Sequence, residues 1–520
     1  MIVQLLLGSI LTYITWSFAC LEANVRKARD FGVPVIRLPI DANNVVWILL
    51  QPYLWMVLDR LPFDWSTYPR FVRLSRRGWF VAEGAEPHVQ LGPVWALVSP
   101  MAVNLHFSDP DTIQDIVTRR GDFQRPFREL TRSMLHSWTR SSSAGIDSYQ
   151  KDTRMLSLNV LAAVGFRKSY DFRGSAEPSN DEIGSYRDSL QTVLDNIILL
   201  MLIPARYLRL VPGTWARIGN TAITFKQHME KMLGEETRAI NQGTSGSGGI
   251  ITSFVRAADV HNVESAVASD KAGRKKGLSV DEVFGNLFVI NFAGHDTTAN
   301  TLAFAMLLLA AHPDVQEWLS EEIKAVTEGT SDEMDYKQLF PQLKRCRAVM
   351  YEVLRLYPPV PALPSISSNG THMLKCNDRT LVIPQGVTLT VNIRAMQMHP
   401  QYWHDASAWK PARWITNPAP VGSTSINQIS EERILEPNKK IFLPWGEGPQ
   451  ICPGKKFAQV EEVAVLACLF RGHRVFPMQK SGESSAELNK RVLRCLNDVD
   501  LEMLVRLRDA DQVTLVCKEA

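Results

Sequence analysis

The segment Phe442-Leu-Pro-Trp-Gly-Glu-Gly-Pro-Gln-Ile-Cys452-Pro-Gly454 is the most informative part of this sequence. It places one cysteine in a loop rich in glycine and proline, directly before a helix that the sequence predicts from Lys455. A thiolate is favoured at a helix N-terminus, where the helix dipole and the backbone N–H groups stabilise negative charge. The glycines let the backbone approach a flat group closely. A buried structural cysteine in a turn explains the loop equally well at this point.

The longest predicted helix runs from Ser279 to His312, a length of about 51 Å. Ser279-Val-Asp-Glu282 is a capping box at its start, and Pro313 ends it. The helix is apolar nearly all round, which is typical of a buried or membrane-spanning helix. A bilayer would tolerate its polar centre poorly, so we expect the helix to cross the core of a large domain.

The polar centre of this helix is Ala293-Gly-His-Asp-Thr-Thr298. Gly294 leaves a notch beside the helix, and Asp296 next to the Thr297 hydroxyl could act there as a proton relay. The alternative is a helix kink in which a threonine hydroxyl bonds to the backbone one turn earlier.

Two shorter motifs and one change of periodicity complete the pattern. Glu352-Val-Leu-Arg355 puts a carboxylate and a guanidinium on one helix face, where they can pair, and Pro411-Ala-Arg413-Trp414 lies upstream of the cysteine loop. Residues 380–383 and 387–391, joined by Pro384-Gln-Gly386, have the pattern of a short β-hairpin. The sequence therefore predicts a mainly α protein with a small β segment.

The first residues have the composition of a membrane anchor. Residues 1–21 contain no charged side chain, and as a helix Ile2 to Cys20 would cover about 28 Å of the roughly 30 Å hydrocarbon core. Arg26, Lys27 and Arg29 follow, which puts the downstream chain in the cytosol. A cleaved signal peptide is the alternative, although no basic segment precedes the apolar run.

A second apolar segment, Val45–Leu58, is short for a membrane span and rich in tryptophan and tyrosine. A helix resting on the membrane surface and an ordinary core helix fit it about equally. Pro34 and Pro39 interrupt any continuous helix between this segment and the anchor.

Composition excludes several classes of protein. Of 520 residues, 45% are hydrophobic and 21% charged, which is ordinary for a globular chain and unlike a collagen, a coiled coil or a disordered protein. The net charge of +3, from 57 basic and 54 acidic residues, argues against nucleic-acid binding. The 7 cysteines form no Cys-x-x-Cys pair, so we expect a reducing compartment and neither a disulfide framework nor a structural zinc site.

In this order and spacing, the motifs resemble those of the cytochrome P450 superfamily of haem-thiolate monooxygenases, from the anchor to about Phe470. Trp445-Gly-Glu-Gly-Pro-Gln-Ile-Cys-Pro-Gly-Lys-Lys-Phe457 is similar to the form common in fungal members. The resemblance implies the cytochrome P450 fold and a fungal enzyme of the endoplasmic reticulum membrane, with its catalytic domain in the cytosol. The expected parts are a transmembrane anchor (1–21), a linker with a membrane-proximal segment (22–60) and a haem domain (61–520).

The resemblance implies haem b as the cofactor. Cys452 would be the axial thiolate ligand of the iron, and the surrounding loop residues would bind the cofactor: Trp445, Gly446, Gly448 and Gly454. A thiolate ligand donates electron density to iron and favours cleavage of the O–O bond.

The resemblance also implies which residues serve dioxygen. Asp296 and Thr297 match the pair that delivers protons, and Gly294 matches the groove in which oxygen lies. Three charged residues match a buried ion triad that braces the cysteine loop: Glu352, Arg355 and Arg413. Three charges can be buried together only if they satisfy one another.

The implied reaction is reductive activation of dioxygen at haem and hydroxylation of an apolar substrate. Two electrons would come from NADPH through NADPH–cytochrome P450 reductase, docking on the face below Cys452, where Lys455 and Lys456 carry positive charge. The turn Pro359–Ser367 matches a substrate-facing segment. The fungal resemblance and the membrane location favour a lipophilic small molecule of secondary metabolism, such as a terpenoid, polyketide or alkaloid.

One expected helix is missing from the sequence. Members of this type follow a segment such as Arg119-Arg-Gly-Asp-Phe-Gln-Arg-Pro126 with a helix carrying Trp-x-x-x-Arg, whose two residues bind a haem propionate. Here Trp138 is followed at that spacing by Ser142, and no other tryptophan before the long helix has arginine four residues later. We therefore expect several tens of residues to be absent near Phe127, around 127–133.

Two further propionate contacts differ from the common pattern: Gln450 stands where many members have arginine or histidine, and Ser365 where many have another basic residue. Haem carboxylates without cationic partners are held less firmly. The apparent gap near Phe127 motivates one alternative to the monooxygenase, a catalytically impaired remnant that binds haem or another ligand. A separate alternative is a P450-fold isomerase or dehydratase, which keeps the haem but needs no external electrons. The intact Asp296–Thr297 pair argues against the second.

Overall fold

The computed structural model of the chain describes residues 2–520 apart from 30–31, 42–43, 59–67, 77–78, 80–82, 93, 109–127, 141–144, 166–171, 173–188, 191, 194–195, 243–249, 253, 256–279, 328–335, 364–365, 368–370, 377–378, 419–425, 449–450 and 502–503. Several features of the sequence lie outside the described residues: the cap Ser279, Ser365, Gln450, the segment Arg119–Pro126 and the predicted gap at Phe127.

Helices make up most of the secondary structure in the described chain. In chain order they are α1 (Ile2–Arg29), α2 (Val45–Leu58), α3 (Arg70–Arg73), α4 (Glu86–Leu91), α5 (Arg128–Arg140), α6 (Tyr149–Gly165), α7 (Ile197–Leu202), α8 (Ala205–Leu208), α9 (Thr214–Asn241), α10 (Val280–Ala311), α11 (Pro313–Thr327), α12 (Tyr336–Gln342), α13 (Lys344–Leu356), α14 (Ile393–Gln397), α15 (Ile426–Glu431), α16 (Lys455–Phe470) and α17 (Ser485–Asn497). Short 3-10 turns occupy Pro411–Trp414 and Ala510–Gln512.

The strands are short. In chain order they are β1 (Val35–Arg37), β2 (Val94–Val98), β3 (Val103–Phe107), β4 (Ile366–Ser367), β5 (His372–Cys376), β6 (Arg379–Ile383), β7 (Thr388–Val391), β8 (Ile415–Thr416), β9 (Arg433–Ile434), β10 (His473–Pro477), β11 (Val499–Leu501), β12 (Val505–Leu507) and β13 (Leu515–Glu519). This content confirms the predicted class, mainly α with some β structure.

The chain divides into two compact units, each assembled from separated parts of the sequence. The first unit comprises Met1–Asp122, Pro341–Lys455 and Leu493–Asp509, and the second comprises Phe123–Phe340, Lys456–Val492 and Ala510–Ala520. The cysteine loop belongs to the first unit, and the long helix α10 belongs to the second.

The core of the first unit is a five-stranded sheet in the order β1-β2-β3-β7-β4. Strand β1 runs parallel to β2, β2 antiparallel to β3, β3 parallel to β7, and β7 antiparallel to β4. Ala96, Leu105 and Val391 from the three central strands are fully buried in one apolar cluster. All five residues of β2 are buried, which suits a strand covered on both faces.

Helix α1 continues past the predicted end of the anchor at Leu21. Its last turns pack on the sheet through Leu21 and Val25, which are both buried. The Asn24 side-chain amide donates hydrogen bonds to the carbonyl oxygens of Ser99 and Pro100, each at 3.1 Å. The C-terminal end of α1 is therefore part of the core. Within the described residues, no helix combines the length and the apolar composition that a membrane span requires.

The predicted hairpin between residues 380–383 and 387–391 is wrong in its pairing. Strand β6 pairs with β5, whereas β7 pairs with β3 and β4 in the five-stranded sheet. Gly386, with a φ of +84°, turns the chain between β6 and β7. Leu389 and Val391 of β7 are buried in the core, while most of β6 is exposed. The two strands therefore belong to different sheets, although their alternating sequence pattern had predicted that they pair with each other.

Helix α10 forms the centre of the second unit. It runs from Val280 to Ala311, within one residue of the predicted bounds at each end. Every residue from Asn300 to Ala310 is buried, so the helix is enclosed on all sides there. It packs along α6 and against β10. The expectation of a helix through the core is confirmed.

Trp138 joins two helices of the second unit. Its indole N–H donates to Asp152 Oδ2 at 2.9 Å, which links α5 to α6, and the Ser148 hydroxyl donates to the same oxygen at 2.7 Å. The Trp138 side chain is 1% exposed. The Trp138 indole thus joins two helices of the second unit.

Two histidines lie inside an aromatic cluster of the first unit. His106 on β3 is the cross-strand partner of Trp95 on β2, and the two rings stack with centroids 4.5 Å apart. The ring centroids of Trp79 and His106 are 5.3 Å apart, and those of His88 and Trp95 are 5.7 Å apart. Burial lowers the pKa of His106 to about 3, and the neighbouring His88 acts in the same direction.

This lowered pKa predicts an acid-sensitive fold. The unfolded chain binds a proton on His106 below its ordinary pKa of 6.5, whereas the folded chain does so only near pH about 3. The free energy of unfolding is therefore unaffected by His106 above pH 6.5, and it falls by a few kcal/mol as the pH drops from 6.5 towards about 3. Urea unfolding across this range should show a shallower decline for His106→Phe than for the wild type. His404→Gln is the control, because that side chain is 94% exposed; equal slopes in wild type and His106→Phe would contradict the assignment.

Candidate functional site

The cysteine loop is folded back on itself by backbone hydrogen bonds. The Cys452 N–H donates to the Trp445 carbonyl oxygen at 2.9 Å, and the Ile451 N–H donates to that of Gly448 at 2.9 Å. Gly446 and Gly448 have φ values of +70° and +92°, a region that residues other than glycine rarely adopt. The shape of the loop thus requires two of the glycines in the motif.

The Cys452 sulfur lies just before α16, which begins at Lys455 as predicted. Burial raises the pKa of the Cys452 thiol above its ordinary value, and hydrogen bonds from the backbone N–H groups of Gly454 and Lys455 oppose this in part. A positively charged partner at the sulfur would favour the thiolate. Among the described residues, no group of three or more histidine, cysteine or acidic side chains is placed to hold a bare metal ion.

The Glu352 carboxylate on α13 brings the predicted ion triad together. Arg355 donates to both of its oxygens, at 3.0 and 2.9 Å, and Arg413 donates to Oε1 at 3.0 Å. Two further donors were not predicted: the Trp414 indole at 2.9 Å from Oε2 and the Lys410 backbone N–H at 2.9 Å from Oε1. Glu352 and Arg355 are fully buried. Five hydrogen bonds thus compensate for the loss of water around this carboxylate.

The two arginines of the triad also hold the chain segment that follows α14. Arg355 donates to three carbonyl oxygens in residues 397–408, at 3.0, 2.6 and 2.9 Å. Arg413 donates to the carbonyl oxygen of His404 at 2.8 Å. The two arginines therefore hold this loop in place and also neutralise the buried carboxylate of Glu352.

Gln397, at the end of α14, connects the triad to the start of the cysteine loop. Its side-chain NH2 donates to the carbonyl oxygens of Leu354 and Arg355 at 2.9 and 3.2 Å. Its side-chain oxygen accepts a hydrogen bond from the Leu443 N–H at 2.9 Å. No local pattern marks this residue, because Leu354 and Leu443 lie 43 and 46 residues away along the chain.

Aromatic side chains fill the space between the triad and the cysteine loop. Phe442 lies with its ring centroid 4.8 Å from that of Trp414 and 5.6 Å from that of Tyr351. Tyr351 also contacts Trp445, with the centroids 6.4 Å apart. The loop is therefore packed against α13, the helix that carries Glu352.

Gly294 lies in the second unit, where α10 packs against α6. A Cβ atom at this position would come within 3.2 Å of Leu161 Cδ2. The notch predicted at Gly294 is thus filled by Leu161, and its effect here is to let two helices approach closely.

Asp296 forms an ion pair with Arg154 of α6. The Arg154 Nε to Asp296 Oδ1 distance is 2.8 Å, and the two side chains are 15% and 13% exposed. The approach is that of an ion pair rather than a directed hydrogen bond. The neighbouring His295 is buried, which lowers its pKa, and its Nδ1 lies 2.5 Å from the Asn291 carbonyl oxygen. Nothing in the local sequence around Arg154 had marked it as a partner of Asp296.

Thr297 donates its hydroxyl to the carbonyl oxygen of Ala293 at 2.8 Å. This is the hydrogen bond of the alternative interpretation, in which a threonine hydroxyl bonds to the backbone one turn earlier at a helix kink. The hydroxyl oxygen keeps its acceptor capacity in this arrangement. The relay stays a prediction, and the geometry adds that the single proton of Thr297 is already engaged.

The described part of the turn after α13 is fixed by backbone hydrogen bonds. Strand β12 donates to the Pro359 carbonyl oxygen at 2.8 Å, and α14 donates to that of Pro361 at 2.9 Å. The Leu363 N–H donates to a carbonyl oxygen of β7 at 2.9 Å. The segment predicted to face a substrate is thus held by three elements of the first unit.

The Glu352 cluster predicts the stability of two variants. In Trp414→Phe the aromatic ring is kept but a buried carboxylate oxygen loses a donor, which should lower the free energy of unfolding by about 1–3 kcal/mol. Glu352→Gln leaves two arginines without their carboxylate and should cost about 3–5 kcal/mol. Urea unfolding followed by circular dichroism measures both.

The control is Asp498→Asn, which removes an exposed ion pair with Arg508 in the same unit. It should change the free energy of unfolding by less than about 0.5 kcal/mol. A Trp414→Phe variant as stable as the wild type would contradict the role of the indole.

Comparison with known proteins gives relatives over nearly the whole chain. It is 25% identical over 562 aligned positions to a cytochrome P450 monooxygenase of Arthrobotrys oligospora, with 95% of each chain covered. It is 24% identical over 537 positions to the cytochrome P450 monooxygenase prx9 of Penicillium rubens, with 90% of each covered. A phomenoic acid biosynthesis cluster cytochrome P450 monooxygenase of Leptosphaeria maculans is 24% identical over 572 positions, covering 92% of this chain and 93% of the relative.

A solved structure and a family model agree with these relatives. A crystal structure of a cytochrome P450 (CYP102L1) matches with a TM-score of 0.53 at 20% identity, covering 75% of this chain and 76% of the other, and supports the fold alone. The family model described as cytochrome P450 matches residues 112–497. The resemblance seen in the motifs is thereby confirmed. The chain therefore belongs to the cytochrome P450 family of monooxygenases.

Proposed function

We propose that this enzyme binds haem b through Cys452 and hydroxylates, or otherwise oxidises, a lipophilic small molecule of fungal secondary metabolism. The observation that carries the proposal is the cysteine loop, which puts one sulfur directly before the start of α16 in the chain and takes its shape from two glycines at positive φ. The printed name of one relative, which refers to a phomenoic acid biosynthesis cluster, supports the metabolic class.

The residues of the loop fit a flat, iron-bearing cofactor. A haem with cysteine-ligated iron is the cofactor of the family, and burial raises the pKa of the Cys452 thiol. Iron would supply the positive charge that a thiolate needs in such a place. Gly446 and Gly448 present bare backbone in a conformation that other residues rarely adopt. When bound, the haem supplies the reductive activation of dioxygen, and the Glu352 cluster holds the loop that would ligate it.

Asp296 and Thr297 are the proposed proton-delivery pair. Arg154 holds the Asp296 carboxylate at 2.8 Å, and the Thr297 hydroxyl is oriented by its bond to Ala293. A threonine hydroxyl has one proton, so Thr297 can donate elsewhere only if it rotates away from the backbone oxygen. The relay thus requires a rotation of Thr297 while Arg154 keeps Asp296 in place.

We also propose NADPH–cytochrome P450 reductase as the electron donor. Lys455, at the start of α16, places its ammonium 5.5 Å from the Trp445 ring centroid. Positive charge next to the cysteine loop supports docking of an acidic partner there. Lys456 is the second basic residue of the proposed docking face.

Residues 1–21 are proposed as a single-pass anchor in the endoplasmic reticulum membrane, with the rest of the chain in the cytosol. The proposal is supported by the absence of charge in this segment and by Arg26, Lys27 and Arg29 after it. The substrate of a membrane-bound enzyme can partition into the bilayer, which agrees with a lipophilic class.

A second candidate function, a catalytically impaired remnant, is favoured by the length of the alignments. The alignment with the A. oligospora relative has 562 positions and the chain has 520 residues, so at least 42 positions (562 − 520) have no counterpart here. Such a deficit agrees with the several tens of residues expected to be absent near Phe127. A haem propionate without the Trp-x-x-x-Arg helix would lack two partners.

The carbon monoxide difference spectrum of the reduced chain tests both candidates. The wild type should show the red-shifted Soret band of thiolate-ligated haem, and Cys452→Ser should lose it entirely because a hydroxyl does not replace the thiolate. Cys468→Ser changes another partly exposed cysteine and should keep the band. An unchanged spectrum in Cys452→Ser would reject the ligand assignment. A band that appears only after a Trp-x-x-x-Arg helix is restored near Phe127 would favour the remnant.

The proposed relay predicts an uncoupled variant. Thr297→Ala should retain the haem spectrum and NADPH consumption but form product at least about tenfold more slowly, with hydrogen peroxide released instead. Peroxide and NADPH are measured in the same reaction. Thr301→Ala removes a similar hydroxyl-to-backbone bond one turn later and should stay coupled. Full coupling in Thr297→Ala would refute the relay.

A further inference from the structure

Four oxidisable aromatic side chains of the first unit form a continuous series, called here the aromatic row. The ring centroids of Trp445 and Tyr351 are 6.4 Å apart, and those of Tyr351 and Trp414 are 5.4 Å apart. Trp403 completes the aromatic row, with its centroid 5.4 Å from that of Trp414. These are contact distances for aromatic rings, and indole and phenol are the aromatic side chains that lose an electron most readily. The aromatic row therefore provides a path for single electrons.

The first ring of the aromatic row is tied to the cysteine loop. The Trp445 carbonyl oxygen accepts a hydrogen bond from the Cys452 N–H at 2.9 Å. Phe442, from the same segment, lies beside the next steps, with its centroid 4.8 Å from that of Trp414. The aromatic row thus begins at the backbone partner of the proposed haem ligand and has no gap in its first half.

Trp414 is the ring best suited to hold a positive charge. Its indole N–H donates to Glu352 Oε2 at 2.9 Å. Loss of an electron makes an indole N–H much more acidic, so a carboxylate acceptor stabilises the oxidised ring. The Tyr351 hydroxyl instead accepts a hydrogen bond from Arg347 at 3.5 Å, and burial raises its pKa. Because an oxidised phenol must release its proton and arginine accepts none, Tyr351 suits a bridge rather than a resting place.

The two ends of the aromatic row are less favourable for a positive charge. The Lys455 ammonium lies 5.5 Å from the Trp445 ring centroid, and the Arg355 guanidinium lies 5.2 Å from that of Trp403. A cation above a ring opposes the removal of an electron from that ring. Within the described part of the chain, the buried indole N–H of Trp403 also has no acceptor. A positive charge that enters the aromatic row should therefore rest on Trp414.

The Trp403 end of the aromatic row lies nearer to solvent than its middle. The Trp403 side chain is 9% exposed, compared with 3% for Tyr351 and 4% for Trp414. Tyr402, the preceding residue, and His399 are half-buried, with ring centroids 5.1 Å apart. A small reductant in solution can therefore supply an electron at this end.

We propose that the aromatic row removes oxidising equivalents from the cysteine loop when dioxygen is activated but no substrate is oxidised. This rests on the haem of the proposed function and adds a protective task to it. Each step moves one electron towards the bound haem, and a soluble thiol returns one electron at Trp403. Two electrons and two protons reduce one oxygen atom to water, and two thiols supply both by joining in a disulfide.

Oxidation mapping tests the aromatic row in the wild-type chain. Hydrogen peroxide is added to the haem-loaded full chain without substrate or thiol, and mass spectrometry measures the oxidised fraction of each tryptophan. Trp414 and Trp403 should be oxidised several-fold more than Trp138. Trp138 is the matched control, because its indole also donates to a buried carboxylate at 2.9 Å but belongs to the second unit. Haem-free chain treated in the same way gives the direct attack of peroxide.

A shortened aromatic row should fail to protect the haem. In Trp403→Phe, peroxide should bleach the Soret band several-fold faster than in the wild type, and added glutathione should slow bleaching in the wild type only. Trp95→Phe, which changes another fully buried tryptophan of the same unit, should behave as the wild type does. A thiolate band with equal oxidation at Trp414 and Trp138 would overturn the proposal while leaving the proposed activity standing.

A photo-oxidant on Cys452 makes the test independent of haem. A ruthenium tris(bipyridine) maleimide is attached to Cys452 after Cys20→Ser and Cys468→Ser, which remove the other partly exposed cysteines. After a flash in the presence of an electron acceptor, the absorption of oxidised indole should appear, and it should fall several-fold in Trp414→Phe. An unchanged signal in Trp414→Phe would overturn the aromatic row. A chain without the thiolate band but with this loss of signal would reject the proposed haem and keep the electron path.

Discussion

The Glu352 carboxylate, fully buried and held by five hydrogen bonds, is the interaction on which the arrangement of the first unit depends. A buried charge is tolerated only when every partner stays in place, so each of its donors becomes a fixed point. Arg355 and Arg413 carry this constraint into the loop after α14, and Gln397 carries it on to Leu443 at the start of the cysteine loop. The position of Cys452 thus depends on this buried charge as well as on the hydrogen bonds within its own loop.

In the second unit, α6 and α10 approach closely at Gly294, which has no side chain. The same closeness lets Arg154 reach Asp296. Helix packing and the electrostatics of the proposed relay therefore have one origin. A side chain at Gly294 would press on Leu161 of α6, at the contact where the two helices meet.

Sequence patterns predicted the features whose causes are local. The start of α16 follows from the loop before it, and the bounds of α10 follow from its apolar run and Pro313. The indole of Trp414, the amide of Gln397 and the guanidinium of Arg154 were missed, because their partners are far away in the chain. The predicted pairing of β6 with β7 was wrong for a related reason. The alternation of apolar and polar residues shows which face of a strand is buried, but it does not show which strand is the neighbour.

Helix α1 is continuous from Ile2 to Arg29, and its last turns are fastened to the sheet by Val25 and Asn24. A helix without a break has no hinge, so the proposed anchor would move together with the sheet. Membrane helices respond to bilayer thickness by changing their tilt. With the proposed anchor in a bilayer, a thicker or thinner membrane would rotate the first unit as a whole, and lipid composition would set the angle that the unit presents to the cytosol.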